Sequence, residues 1–325
     1  SGVLTISGTG AMYSYNSASD LPWYSEQSNI KVVVLENGVT SISDYAFYEC
    51  TGLASITIPD GVTSIGNYAF SGCTGLSNIT IPDSVTSIGN CAFYGCTGLT
   101  SITIPDSVES IGDYAFKDCT DLTSVAIPDS VESIGNYAFS GCTGLTSVII
   151  GNSVTNIGNS AFYRCTGLTS ITIPDSVTSI SDSAFEGCTS LTSVTMGNSV
   201  TSIGKDAFSG CIGLQSVSIP SDVTKIDSYV FKSCTGLTSV TIPYSVTSID
   251  SSAFSGCTNL KDVFYTGSPA DWRSVVKWND KELNNADVHY TQCGKELTWS
   301  LDKATQTLTI SGNGAMYDFD NSTQL

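Results

Sequence analysis

The sequence predicts a repeat solenoid built from 23-residue coils, with a parallel β-sheet along one face, short turns along the other, and a cap at each end. Three observations carry this. Phenylalanine falls at Phe47, Phe70, Phe93, Phe116, Phe139, Phe162, Phe185, Phe208, Phe231 and Phe254, always 23 residues apart. A cysteine follows three positions behind each one, from Cys50 and Cys73 to Cys257. Ahead of each pair runs a short apolar segment closed by a turn former. A period in the twenties marks one supersecondary unit that cannot bury its apolar face alone and stacks on copies of itself.

Residues 99–121, LTSITIPDSVESIGDYAFKDCTD, show the elements in order. Leu99, Ile102 and Ile104 recur as Leu, then Ile or Val, then Ile or a close substitute, and the last two alternate with Ser101 and Thr103 at the period of a strand. Pro105 ends that strand, because it has no N–H for a ladder, and Asp106 and Ser107 form a turn. Val108 and Ile111 are a second short apolar pair of extended character. The spacing of Ala115, Phe116 and Cys119 suits a single helical or 3₁₀ turn. The closing position holds Gly98, Asp121, Gly144, Gly167, Ser190 or Asn259, a set rich in residues that tolerate positive φ, so a tight turn is expected there. Repeats start from Ile30 and Leu53 through Leu237, with a degenerate strand at Leu260. Eleven such strands at about 4.8 Å give a body roughly 50 Å long, and crossovers between parallel strands are right-handed.

The pattern L-x-x-I-x-I-P-x-x-V-x-x-I-x-x-x-A-F-x-x-C resembles the leucine-rich repeats of BspA-like bacterial surface proteins, over residues 30–259. Gly151 and Gly197 stand where the pattern has Pro, and Val230 where it has Ala. The resemblance implies a right-handed leucine-rich-repeat array in an exported protein at the bacterial cell surface. It also implies contact with a host extracellular protein or glycan, such as matrix proteins or mucus, or with other cells.

Ten repeats therefore occupy residues 30–259, and a degenerate repeat with a C-terminal cap occupies 260–290. All four tryptophans, Trp23, Trp272, Trp278 and Trp299, lie outside the repeats. Trp23 is expected to cover the first coil, and Trp272 and Trp278 the last, since terminal coils otherwise expose core. LTISGTGAMY at 4–13 returns as LTISGNGAMY at 308–317, an offset that is not a multiple of 23. Residues 291–325 thus read as a β-hairpin resembling the start of a further module, and residues 1–29 as an N-terminal cap that begins inside such a hairpin.

Composition narrows the function. With 12 basic against 30 acidic residues, the formal net charge is −18, which disfavours nucleic acid and anionic membrane as partners. No apolar run is long enough to span a bilayer, so no membrane insertion is expected. No signal peptide is visible at the first residues. The ten column cysteines stack with parallel side chains about 4.8 Å apart, whereas a disulfide needs converging Cβ atoms about 3.8 Å apart. They read as buried free thiols, leaving Cys91 and Cys293 for other chemistry. The single histidine, His289, has no nucleophile motif or second metal ligand beside it. No catalytic residue, metal, cofactor or enzyme activity is expected, and the chain is expected to be monomeric.

Three surface columns are candidate binding sites. The strand's outer face is almost uniformly hydroxyl, with Thr57, Thr80, Thr103 and Thr172 among its members. It suits a repetitive, extended ligand, or it is simply solvated. A second column holds Tyr45, Tyr68, Tyr114, Tyr137 and Tyr229, interrupted by Cys91, Ser160, Ser183, Asp206 and Ser252. A position that accepts Asp is not deep, so these rings either offer a platform to sugar or peptide, or stack on one another over the turns. The third, Asp60, Asp83, Asp106, Asp129 and Asp175, could attract calcium or cap turns. Two functions compete: a binding or adhesion module, and a structural spacer projecting other domains of a larger surface protein.

Overall fold

The computed structural model describes residues 2–276, 281–290, 292–294, 297–302 and 307–312, excluding the side chains of 292–294 and 297–302. It is a parallel β-solenoid of about 11 turns with about 23 residues per turn. Coils stack in exact repeat register, with Ile79 beside Ile102, Val125 beside Val148 and Val217 beside Val240. In the representative coil the first strand is Ser101–Thr103, with Ile102 buried and Ser101 and Thr103 exposed. Pro105 follows, and its carbonyl accepts the Val108 N–H at 3.0 Å to close the turn.

The extended character of Val108 and Ile111 resolves into a second strand, Ser110–Ile111. Equivalent two-residue strands from Ser64–Ile65 to Ser202–Ile203 form a seven-stranded parallel sheet, so each coil is tied to its neighbours along two sides.

The A-F-x-x-C segment is a succession of single i→i+3 turns, as where the Cys119 N–H donates to the Phe116 carbonyl at 3.2 Å, so the one turn that its spacing permits forms but does not extend into a helix. The reason is backbone handedness. Tyr114 and Asp118, on either side of Ala115–Lys117, have φ of 58° and 59°. The same two columns are left-handed in other coils, at Tyr45, Tyr68, Cys91 and Ser160, and at Glu49, Gly72, Gly95 and Gly141. A left-handed residue cannot propagate a right-handed helix. Alternate amides bond to the next coil, as where the Phe116 N–H donates to the Ala138 carbonyl at 2.7 Å.

This also corrects the expectation for the closing position. Gly98 is not left-handed. It is small because a Cβ there would lie 2.5 Å from the Thr74 carbonyl oxygen of the preceding coil. At Gly98 glycine serves close approach between coils and not a positive φ, while Asp121, Ser190 and Asn259 take the same position in other coils.

The phenylalanines form the spine of the core, and all ten are fully buried. From Phe70 to Phe231 successive ring centroids lie 5.2–5.7 Å apart with planes within 2–7° of parallel. Beside them the column cysteines are buried and free, as the geometry of stacking requires. They are more than small apolar fillers. Cys73 Sγ donates to the Phe47 carbonyl at 3.1 Å, and the bond repeats up the column to Cys257 on Phe231 at 2.9 Å.

Both ends are closed with aromatic side chains. The Trp23 ring stacks over Phe47 at 6.3 Å and its Nε1–H donates to the Ala46 carbonyl at 2.9 Å, taking the place of a preceding coil. The strand Val3–Ile6 pairs in parallel with Val32–Leu35, continuing the solenoid direction. At the other end Ser268 and Asp271 make a capping box for the helix Pro269–Val275. That helix buries Trp272 against Tyr265, with ring centroids 5.0 Å apart. The strand Asp287–Tyr290 then adds in parallel to Asp262–Tyr265. Beyond it, Leu297–Asp302 and Thr307–Gly312 pair antiparallel. Trp278, residues 313–317 of the longer repeat, and the side chains of Cys293 and Trp299 lie outside the described residues.

Candidate functional site

The tyrosine column is positioned by the residue before it. In seven coils that residue is Asn or Asp, from Asp44 to Asp182. Its Oδ1 accepts the backbone N–H of its counterpart one coil later: Asn67 on Asp44 at 2.6 Å, Asp113 on Asn90 at 2.8 Å, Asn136 on Asp113 at 2.7 Å, Lys205 on Asp182 at 2.8 Å. The next amide also bonds across coils, as from Tyr114 N–H to the Asn136 carbonyl at 2.8 Å. With the backbone saturated and left-handed, each tyrosine side chain is held at the surface by a rigid base. Tyr45, Tyr68, Tyr114 and Tyr137 are half-buried.

The structure brings them together in two pairs. Tyr45 and Tyr68 stack with centroids 5.0 Å apart at 4°, and Tyr114 and Tyr137 at 4.8 Å and 3°. Cys91, buried at the same column position, separates the pairs. A hydrogen bond between Tyr68 and Cys91 is the main reason the Tyr68 phenol is pushed up to about 12. Burial raises the Cys91 thiol as well.

A second aromatic column, not singled out from the sequence, stands three residues further on at Tyr48, Tyr94 and Tyr163. Its sequence signal is the Tyr-x-x-Tyr spacing within DYAFYEC. Tyr48 meets Tyr45 edge-on at 5.9 Å. Basic side chains lie over these rings: Lys117 at 5.4 Å from Tyr94 and 5.7 Å from Tyr114, Arg164 at 5.1 Å from Tyr163, and Lys232 at 4.7 Å from Tyr229. Tyrosine and cation together give this side of the coil a surface of amphipathic rings.

Thr57, Thr80, Thr103 and Thr172 are exposed on the first strands, with Thr80 beside Thr103 and Thr172 beside Thr195. Ile149, 65 % exposed, breaks the hydroxyl face, and with Thr172 and Met196 it borders a depression of about 810 Å³. Gly197 lies in the same depression. At Gly151 and Gly197, where the pattern has Pro, a Cβ would meet the Pro128 and Pro174 carbonyl oxygens at 2.4 and 2.5 Å, so the coils approach closely there. At the C-terminal end of this face His289 stacks on the exposed Phe264 at 4.9 Å and bonds Asp262 at 2.7 Å.

Of the aspartates after the strand, Asp129 and Asp175 accept the Asn152 and Asn198 amides of the next coil at 2.6 and 2.7 Å. Among the described residues no group of three or more His, Cys, Asp or Glu is placed to hold a metal ion.

Stacked parallel coils with columns of identical side chains define a repeat protein of the leucine-rich class. The BspA-type leucine-rich repeat model matches residues 23–145 and 155–276, in six copies. The chain belongs to that family. It is 32 % identical to a leucine-rich cell surface protein of Faecalibacterium prausnitzii, covering 76 % of this chain and 82 % of that one, with a TM-score of 0.45. A leucine-rich repeat protein of Eubacterium ventriosum is 29 % identical over 80 % of this chain and 85 % of that one, with a TM-score of 0.48. The leucine-rich repeat protein of T. pallidum is 31 % identical over 56 % of this chain and 77 % of that one, with a TM-score of 0.42. No curated protein matches the sequence. Among the described residues no helix is long and apolar enough to cross a membrane.

Proposed function

We propose that this chain is a non-catalytic binding module of a bacterial cell-surface protein, and that its tyrosine-bearing turn side contacts host matrix proteins, mucus glycans or other cells. One observation carries the reading: paired half-exposed tyrosines on a hydrogen-bonded base, flanked by Tyr48, Tyr94 and Lys117. Rigid aromatic side chains contribute large contact areas at small entropic cost, which is why tyrosine is favoured at recognition surfaces. Family membership supports a protein-binding or structural role.

The spacer reading has an observation of its own. Many surface threonines spend their hydroxyls on the array, as where Thr123 and Thr146 Oγ1 donate to the Thr100 and Thr123 carbonyls at 3.2 and 3.1 Å. Such columns stiffen the rod without reading a ligand. The test is binding of the purified chain to an array of extracellular-matrix proteins, mucins and glycans. Saturable binding to a component is the expected result; a blank array favours the spacer.

A further inference from the structure

We propose that the shelf beside Tyr137 is a receptor for a lysine or arginine side chain presented by a partner protein. The inference rests on the binding-module reading and names the chemistry recognised at one place on that surface.

The shelf exists because the tyrosine column stops. Ser160 and Ser183 occupy the next two positions with the same left-handed backbone, φ 52° and 55° against 56° at Tyr137. One face of the Tyr137 ring is covered by Tyr114 at 4.8 Å. On the other side the column carries no ring at Ser160 or Ser183, and a depression of about 470 Å³ runs along it from Asp113 and Tyr114 past Tyr137 to Asp182 and Ser183. The depression thus sets tyrosine rings beside polar and acidic side chains.

A cation is the ligand that suits both. The ring quadrupole attracts positive charge over its face, and nearby carboxylates attract it further. Among the described residues neither Asp113 nor Asp182 has a basic side chain within the 4.0 Å of an ion pair. The chain's own cations already use this side in the same way: Lys117, Arg164 and Lys232 each lie 4.7–5.7 Å from a tyrosine centroid. Among the described residues no such cation covers Tyr137, so the complementary charge comes from outside. The net charge of −18 adds long-range attraction for a basic partner and repels sulfated or sialylated glycans.

The experiment is fluorescence anisotropy of a fluorescein-labelled tetralysine peptide with the full chain at physiological ionic strength, beside labelled maltotetraose as a neutral sugar. Three variants are compared: Tyr137→Ser, whose backbone already carries serine at Ser160; Asp182→Asn, whose ladder role is filled by asparagine at Asn136, which accepts the Asn159 N–H at 2.9 Å; and Asp222→Asn, an exposed charge elsewhere. Saturable tetralysine binding is expected, weakened about 3- to 30-fold by Tyr137→Ser, the span of one cation–π contact, and similarly by Asp182→Asn, but not by Asp222→Asn. Equal loss in both Asp variants, no tetralysine binding, or Tyr137-dependent binding of maltotetraose instead would each overturn it. Array binding that survives Tyr137→Ser and Asp182→Asn overturns the shelf and leaves the module reading standing. A blank array with Tyr137-dependent tetralysine binding supports the shelf and removes the adhesion reading.

Discussion

Each column cysteine occupies a site where a thiol is both filler and donor. The free-thiol state was legible from the 23-residue spacing alone, because parallel side chains cannot converge on a disulfide. The bond from Cys142 Sγ to the Phe116 carbonyl was not legible, since it depends on the offset between coils. Burial pushes Cys50, Cys96 and Cys188 up to about 12, from 9.0 for an exposed thiol. The folded chain therefore holds its thiol protons through the window from pH 9 to 12, where the unfolded chain releases them, so stability is full below pH 9 and falls above it. At pH 10 each such thiol costs about 1.4 kcal/mol. Melting temperature should drop steeply above pH 9, and Cys96→Ala should make the drop shallower; an unchanged slope would contradict this origin. For the spine, Phe139→Ala should cost about 3–5 kcal/mol in chemical denaturation, because the ring is fully buried between two others.

At the scale of one coil, the strand, the Pro stop and the extended Val–Ile pair could be read from the pattern. The left-handed columns could not, because Tyr114 and Ser160 are ordinary residues by type and only the inter-coil hydrogen bonds select their φ. The glycine-rich closing position misled for the complementary reason: glycine there answers to the Thr74 carbonyl of the neighbouring coil. A consequence follows at Ser233, φ 58°, in a column where Gly210 and Gly256 stand in the adjoining coils. Ser233→Gly removes a left-handed penalty of about 1–2 kcal/mol and should raise the melting temperature, although glycine substitution normally lowers it. Gly98→Val should do the reverse and destabilise strongly, since its Cβ would sit 2.5 Å from an oxygen.

Over the whole molecule, the period determines architecture and is indifferent to coil number. Removing residues 99–121 joins matching positions of neighbouring coils, so the shortened chain should keep its circular dichroism shape and cooperative unfolding. Removing half that segment breaks every column and should abolish both. The site was legible only in part. The tyrosine column and its interruption by Cys91 and Ser160 stand out in the sequence, but the cations over its rings and the depression beside Tyr137 depend on side-chain directions that the period does not specify.

The most direct test sets the two sides of the coil against each other. The measurement is the dissociation constant for the strongest binder from the matrix and glycan array, with the wild-type chain and two folded variants. One replaces Tyr45, Tyr68, Tyr114 and Tyr137 with Ser; the other replaces Thr57, Thr80, Thr103 and Thr172 with Glu. The account predicts at least a tenfold loss in the tyrosine variant, about 1.4 kcal/mol, and wild-type affinity in the threonine variant. Full affinity in the tyrosine variant, with loss in the threonine variant, would contradict it and move the binding surface to the strands.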